Sequence, residues 1–192
     1  MCVQLFALVQ PRDIRSIITK APVNMKTLVC KAMEVIVSVF RDYRIGAPNV
    51  CVVQATSDPR KAFEKTTIEK LNNAVRILVR VLPFVFEDRG YNWKQELFSQ
   101  PLPGSASNKT VAEELVDSLY LLLFLPSYTL PPNAVKRKDG TYFIIWEAGI
   151  AAKVAPPSTV EIDNNRFEVL KLLLVLMSPV LYMNPCTSDL VG

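Results

Sequence analysis

The sequence predicts an all-α fold, an irregular α-solenoid-like array of helices. Three observations carry that expectation. Apolar residues recur at steps of three and four through four long segments. The helix punctuation is regular, with proline, asparagine, aspartate or threonine ahead of those segments and proline or glycine beyond them. Residues with strand character are confined to short runs, so strand is expected in less than about a tenth of the chain. No strict repeat runs through the sequence, which leaves out a regular tetratricopeptide or ankyrin architecture.

The elements follow in order. Val3–Val9 is apolar and reads as the end of a helix. Pro11 suits the first position of a short helix through about Lys20, with Ile14, Ile17 and Ile18 on one face and Pro22 ending it. Asn24 is placed to cap a helix to about Tyr43, whose apolar face holds Leu28, Val29, Ala32, Ile36, Val39, Phe40 and Tyr43. Lys31, Glu34, Ser38, Arg41 and Asp42 fall on its other side, and Gly46-Ala47-Pro48 breaks the pattern. Val50–Val53 is too short and isolated to assign. Asp58-Pro59 opens the longest helix, about 60–87, with Ile68, Leu71, Val75, Leu78, Leu82 and Val85 inward. Glu69, Asn72, Asn73, Arg76 and Arg80 form its polar stripe. Beyond Arg80 it is apolar all round, which implies burial on several sides, and Pro83 is expected to kink the last turn.

A loop over 99–109 leads to Thr110 and Glu113, which have capping-box spacing, and a helix to about Leu125. The proline-rich stretch 126–163 contains Lys138-Asp139-Gly140-Thr141 followed by Tyr142–Trp146, a candidate hairpin near 135–146. Asp163 or Asn165 then caps the last helix. Phe167, Leu170, Leu174, Met177 and Leu181 are assigned to its inner face, and Pro179 is expected to bend it.

Composition sets bounds on function. Half of the 192 residues are hydrophobic and the mean hydropathy is +0.22. A domain of this size buries only about 70% of its unfolded surface, so the chain is expected to be covered by more protein and to be incomplete as a domain over 1–192. The net charge of +4 is uneven: residues 1–100 carry 15 Lys+Arg against 9 Asp+Glu, and residues 101–192 carry 7 against 9. The four cysteines are scattered, as in a reduced compartment. No apolar run reaches the about 20 residues a membrane-spanning helix needs.

The chain contains no histidine, which excludes Ser-His-Asp and Cys-His triads and disfavours zinc. Its six glycines form no phosphate or dinucleotide loop. Glu113-Glu114 reads as first-turn charge matching the helix dipole. No cofactor is expected. The candidate sites are for binding: Trp93 and Trp146 as protein-interface anchors, and Lys136, Arg137 and Lys138 as a cationic cluster for phospholipid headgroups. Packing is the commoner role of such tryptophans, and solvation the commoner fate of such a cluster. A basic field with interleaved aromatics, as nucleic acid would require, is not seen.

Five blocks in fixed order resemble one family. They are Phe6-Ala7-Leu8-Val9 with Ile14-Arg15; Asn24, Thr27-Leu28 and Cys30-Lys31-Ala32; Arg80–Asp88, RVLPFVFED; Ile145–Gly149, IWEAG; and Asn165-Arg166 with Leu170–Leu174 and Tyr182. Together they resemble the high-temperature-induced dauer-formation (Hid) proteins, related to dymeclin, over about 6–185, including fungal members. The resemblance implies the N-terminal part of a longer helical protein that is not an enzyme. It implies a cytosolic, peripheral protein of the Golgi and trans-Golgi network, acting as a scaffold in vesicle trafficking and secretory cargo sorting. Its partners would be the trafficking machinery, with no nucleic acid and no small-molecule substrate. An alternative is an adaptor that holds a ubiquitin protease at the Golgi; a small hydrolase or transferase stands third. Animal members carry a myristoylatable glycine after the initiator methionine. Here Cys2 takes that place, so this segment alone is expected to be cytosolic.

Overall fold

The computed structural model describes residues 8–45, 65–101, 109–125, 127–131 and 158–182. Among them are five α-helices: α1 (Pro11–Lys20), α2 (Pro22–Ile45), α3 (Lys65–Glu87), α4 (Val111–Leu122) and α5 (Val160–Met177). A π-helical turn spans Lys94–Phe98, and a 3-10 turn spans Pro179–Tyr182. No strand occurs among the described residues, where Pro101 and Thr110 form only an isolated bridge. The all-α class is thus what the structure shows. The candidate hairpin near 135–146 lies outside the described residues, as do the assignments to Val3–Ala7 and 46–64.

Helix α3 is the hub. It packs on α2 and α5 most extensively, and also on α1 and the 3-10 turn. Helix α4 contacts α2 and α5, so the four longer helices meet in the cyclic order α2, α3, α5, α4. The core runs through this ring. It takes Met25, Val29, Met33 and Ile36 from α2, Leu71, Val75, Leu78 and Leu82 from α3, Leu115 and Leu119 from α4, and Val169 and Leu172 from α5. Its α3 members are those the spacing predicts.

Several local expectations need correction. Pro22 does not end α1 but opens α2, with only Ala21 between the two helices. A first-turn proline loses no hydrogen bond, because the first amides of a helix lack intrahelical acceptors anyway. Asn24 therefore lies inside the first turn rather than capping it. In α2, Val29, Ala32 and Ile36 are buried as expected and Val39 packs against the core, but Leu28 is exposed and Met25, Met33 and Val37 join the buried face. In α1, Ile17 is exposed and Ile14 and Ile18 are buried.

The largest correction concerns α5. Its N-cap is Thr159, whose hydroxyl accepts from the Ile162 amide, rather than Asp163 or Asn165. Its inner face is Ile162, Asn165, Val169, Leu172 and Val175. The residues expected inside, Phe167, Leu170, Leu174, Met177 and Leu181, are all exposed. Pro179 does not bend α5, which has already ended at Met177, but starts the 3-10 turn.

Candidate functional site

The polar residues of the inner face of α5 explain its orientation. Helix α4 ends at Leu122, and beyond it Leu125, Tyr128, Thr129 and Leu130 are buried. Thr129 accepts the Leu125 amide on its hydroxyl and donates that hydroxyl to the Leu122 carbonyl. Ser127 takes a left-handed backbone (φ 65°), and its amide donates to the Leu130 carbonyl at 2.8 Å. A buried turn of this kind leaves carbonyls that need partners. Helix α5 supplies them: Asn165 Nδ2 donates to the Tyr128 carbonyl at 3.0 Å, and Arg166 Nε donates to the Thr129 carbonyl at 2.6 Å.

Helix α3 closes the circuit. Tyr128 is 0% exposed, and its hydroxyl donates to Asn72 Oδ1 at 2.8 Å. Asn72 Nδ2 in turn donates to Asn165 Oδ1 at 2.9 Å. One turn further along each helix, Arg76 Nε approaches Glu168 Oε1 at 3.4 Å. Glu168 Oε2 lies 2.8 Å from Lys171 Nζ, an ion-pair contact without hydrogen-bond alignment. Burial, and then the Glu168 carboxylate, push the Tyr128 pKa well above the ordinary tyrosine value, with Arg76 opposing. The phenol is therefore held as a donor. Asn72 and Arg76, which the spacing assigns to a polar stripe, instead form the polar seam between α3 and α5.

A second set of ties gathers the end of α3. Arg15 of α1 forms an ion pair with Glu87 (3.0 Å) and lies over the Phe84 ring, 4.9 Å from its centre. Asp88 Oδ2 accepts from Trp93 Nε1 at 2.7 Å, and its other oxygen accepts the Gly90 amide. Lys26 of α2 meets Glu96 of the π-helical turn at 2.7 Å, and that bond raises the lysine pKa. The acidic stop Glu87-Asp88 is thus an anchor for α1 and for the chain reversal after α3. Two blocks distant in sequence, Ile14-Arg15 and Arg80–Asp88, meet here.

Two open grooves border these ties. One, of about 540 Å³, is lined by the apolar Ile14 and Phe84 and by the charged Arg76, Arg80, Glu168 and Lys171. The other, of about 530 Å³, is mainly apolar and is lined by Phe86, Tyr91, Phe98, Val116, Leu176 and Pro179. Trp93 contributes to the second groove but is only 4% exposed, with its ring 4.5 Å from that of Tyr91. Trp146, Lys136, Arg137 and Lys138 lie outside the described residues. Cys30 is half-buried, and burial pushes its thiol pKa up. Among the described residues, no group of three or more Cys, Asp or Glu could hold a metal, and no helix is long and apolar enough to cross a membrane.

The geometry defines a class first: a helical array whose polar residues tie helix to helix and whose grooves lie open on its surface. The particular family follows from comparison. The model of the Hid1 family, high-temperature-induced dauer-formation protein, matches residues 3–191, and the chain belongs to that family. Protein HID1 of Homo sapiens is 30% identical over 206 residues, covering 96% of this chain and 23% of the human protein. Protein HID1 of Mus musculus is 32% identical, covering 94% of this chain and 23% of its own length. The Ubp5-interacting protein ftp105 of Schizosaccharomyces pombe is 44% identical over 75 residues, covering 38% of this chain and 8% of its own. The chain thus spans about a quarter of the length of the human and mouse relatives. No solved structure matches it.

Sequence reasoning missed Tyr128, Thr129 and Glu168 as members of the seam. The available signal was polar residues on helices otherwise rich in leucine, next to Pro126-Ser127-Tyr128-Thr129. A buried polar residue needs a partner, and here the turn residue Tyr128 lies 37 positions from Asn165 and 56 from Asn72.

Proposed function

We propose that this chain is part of a non-catalytic trafficking scaffold on the cytosolic side of Golgi membranes, acting in vesicle transport and secretory cargo sorting. The observation that carries the reading is membership of the Hid1 family over 3–191. Helices tied by polar seams, with open grooves between them, are suited to holding partner proteins. The test is location and cargo. A tagged protein from the native gene should colocalise with Golgi markers, and its deletion should missort secretory cargo. A uniform cytosolic distribution with normal secretion would overturn the reading. The 192-residue chain expressed alone should be largely diffuse, because stable membrane attachment generally takes two signals. Golgi retention that resists high salt would contradict that expectation.

A second reading is an adaptor for a ubiquitin protease. It is favoured by the 44% identity to a protein named for its interaction with Ubp5. Affinity purification followed by mass spectrometry separates the two: recovery of coat or tether proteins supports the scaffold, and stoichiometric recovery of a ubiquitin protease supports the adaptor. Turnover on broad substrate panels would overturn both in favour of an enzyme.

A further inference from the structure

The groove of about 540 Å³ is lined by residues of α1, α3 and α5, and its charge is unbalanced. Arg76, Arg80 and Lys171 line it with a single carboxylate, Glu168, which Arg76 and Lys171 share. Arg80 has no carboxylate partner among the described residues, where its guanidinium donates to the Val9 carbonyl. Arg76 engages Glu168 through Nε alone among the described residues, although a guanidinium carries five donors in a planar fork. Three cations against one carboxylate leave an excess of two positive charges. The rest of the lining is largely apolar, with Val79 and Pro83 one turn apart on α3 and Phe84 beside them. Pro83 has no amide, so the usual intrahelical donor to the Val79 carbonyl is missing. That carbonyl is an acceptor suited to the amide of a bound peptide.

Charge decides among the occupants. The chain's own segments outside the described residues do not match the excess. Residues 46–64 carry Arg60 and Lys61 against Asp58 and Glu64, and residues 132–157 carry four cations against Asp139 and Glu147. Residues 183–192 carry Asp189 alone, and residues 1–7 and 102–108 carry no charged side chain. No such segment has two carboxylates in excess of its own cations. A second copy of a chain at net +4 is not drawn to a cationic groove. Recognition of an anionic leaflet takes clusters of about four to eight cations, and it makes no use of an apolar wall. We propose that this groove binds an acidic peptide segment of a partner protein, with two carboxylates beside a large apolar side chain. The carboxylates meet Arg80 and the unused end of Arg76, whose forks match them in geometry. The apolar side chain lies on Val79, Pro83 and Phe84. Complementary charge of this kind selects the partner and speeds its capture. The proposal goes beyond the trafficking reading and stands without it, because its test is a binding measurement.

The test selects short random peptides displayed on phage against the 192-residue chain. The expected winners pair two acidic residues with a neighbouring large apolar one. Their affinity is then read by fluorescence anisotropy on labelled synthetic copies. Replacing both acids by their amides should weaken binding by about tenfold or more, and so should Arg80→Glu in the protein. Lys70→Glu makes the same charge change at an exposed α3 position outside the groove, and should leave the affinity within about twofold of the parent. Arg80 is exposed, so the Arg80→Glu chain should keep the parental helical content and melting temperature, and its loss of binding cannot be put down to misfolding. Selection of neutral or basic peptides would overturn the proposal, as would the absence of any selected peptide. Equal effects of Arg80→Glu and Lys70→Glu would overturn it too, and so would displacement of the peptide by phosphatidylserine vesicles.

Discussion

Tyr128 shows how a single residue decides which face of a helix is inside. Its hydroxyl and backbone carbonyl are bonded to α3 and α5 respectively. Removing the hydroxyl in Tyr128→Phe leaves Asn72 Oδ1 short of a donor, and should cost about 1–2 kcal/mol at neutral pH. The pH dependence has a definite sign. The raised pKa means that the folded state keeps the phenolic proton to higher pH than the unfolded chain does. That contribution is fully present below about pH 10, the ordinary tyrosine value, and is lost as pH rises beyond it. Urea midpoints measured from pH 8 to 11 should therefore fall at the alkaline end, and fall less steeply in Tyr128→Phe. A parallel decline in the two proteins would mean that Tyr128 is not the group responsible. Arg76 belongs to the same seam. Arg76→Ala leaves the Glu168 carboxyl, whose side chain is 14% exposed, with Lys171 alone. It should cost about 1–2 kcal/mol, whereas Arg80→Ala, at an exposed position bonded to the Val9 carbonyl, should cost less than about 1 kcal/mol. Equal thermal shifts for the two arginine variants would contradict the assignment of Arg76 to the seam.

At the scale of the element, α3 was legible and α5 was not, for a physical reason. Through most of α3, apolar and polar residues separate cleanly, so spacing alone points Leu71, Val75, Leu78 and Leu82 inward. In α5, Leu170 and Leu172 through Met177 leave an apolar residue on every side, and periodicity cannot choose among them. The choice is made by Asn165, Arg166 and Glu168, which must face the acceptors and donors of the 125–130 turn and α3. Those partners are not local in sequence, so the rotation of α5 could not be read from its own residues. The capping box at Thr110 and Glu113 was legible because it is wholly local: Glu113 accepts the Thr110 amide at 2.8 Å, and its own amide donates to the threonine hydroxyl. Much of the candidate site shares the fate of α5, since the polar ties join residues 37 to 93 positions apart. A pair of variants tests the rotation. Val169→Asp buries an unpaired carboxylate and should unfold the chain. Leu170→Asp, one residue on, should leave the melting temperature within about 2–4 °C of the parent. Comparable loss of helical signal in both would put the wrong face inside.

The described residues share one core with α3 at its centre, and this sets how the molecule should unfold. Helix α3 touches α1, α2, α5 and the 3-10 turn, while α4 joins α2 to α5, so losing α3 strips both α2 and α5 of their most extensive packing. Leu82 is fully buried in α3 beyond the seam residues Asn72 and Arg76. Placing aspartate there buries a carboxylate with no partner, at a cost of several kcal/mol, comparable with the total stability of a small domain. Leu82→Asp should therefore abolish the cooperative transition altogether rather than shift it. Helix α1 is different. It is short, contributes Ile14 and Ile18 to the core, and packs on α2 and α3 from outside the ring. Ile18→Ala should cost about 2–5 kcal/mol through the cavity it leaves, lowering the midpoint while a single transition persists. Thermal melts followed by far-ultraviolet circular dichroism and by tryptophan fluorescence check both. With Trp146→Phe as the common background, the fluorescence reports Trp93 alone, buried just after α3, and so samples the hub directly. Coincident transitions in the parent and in Ile18→Ala, with none in Leu82→Asp, are the expected set. A residual cooperative melt in Leu82→Asp would show that the ring divides into parts that fold without their hub.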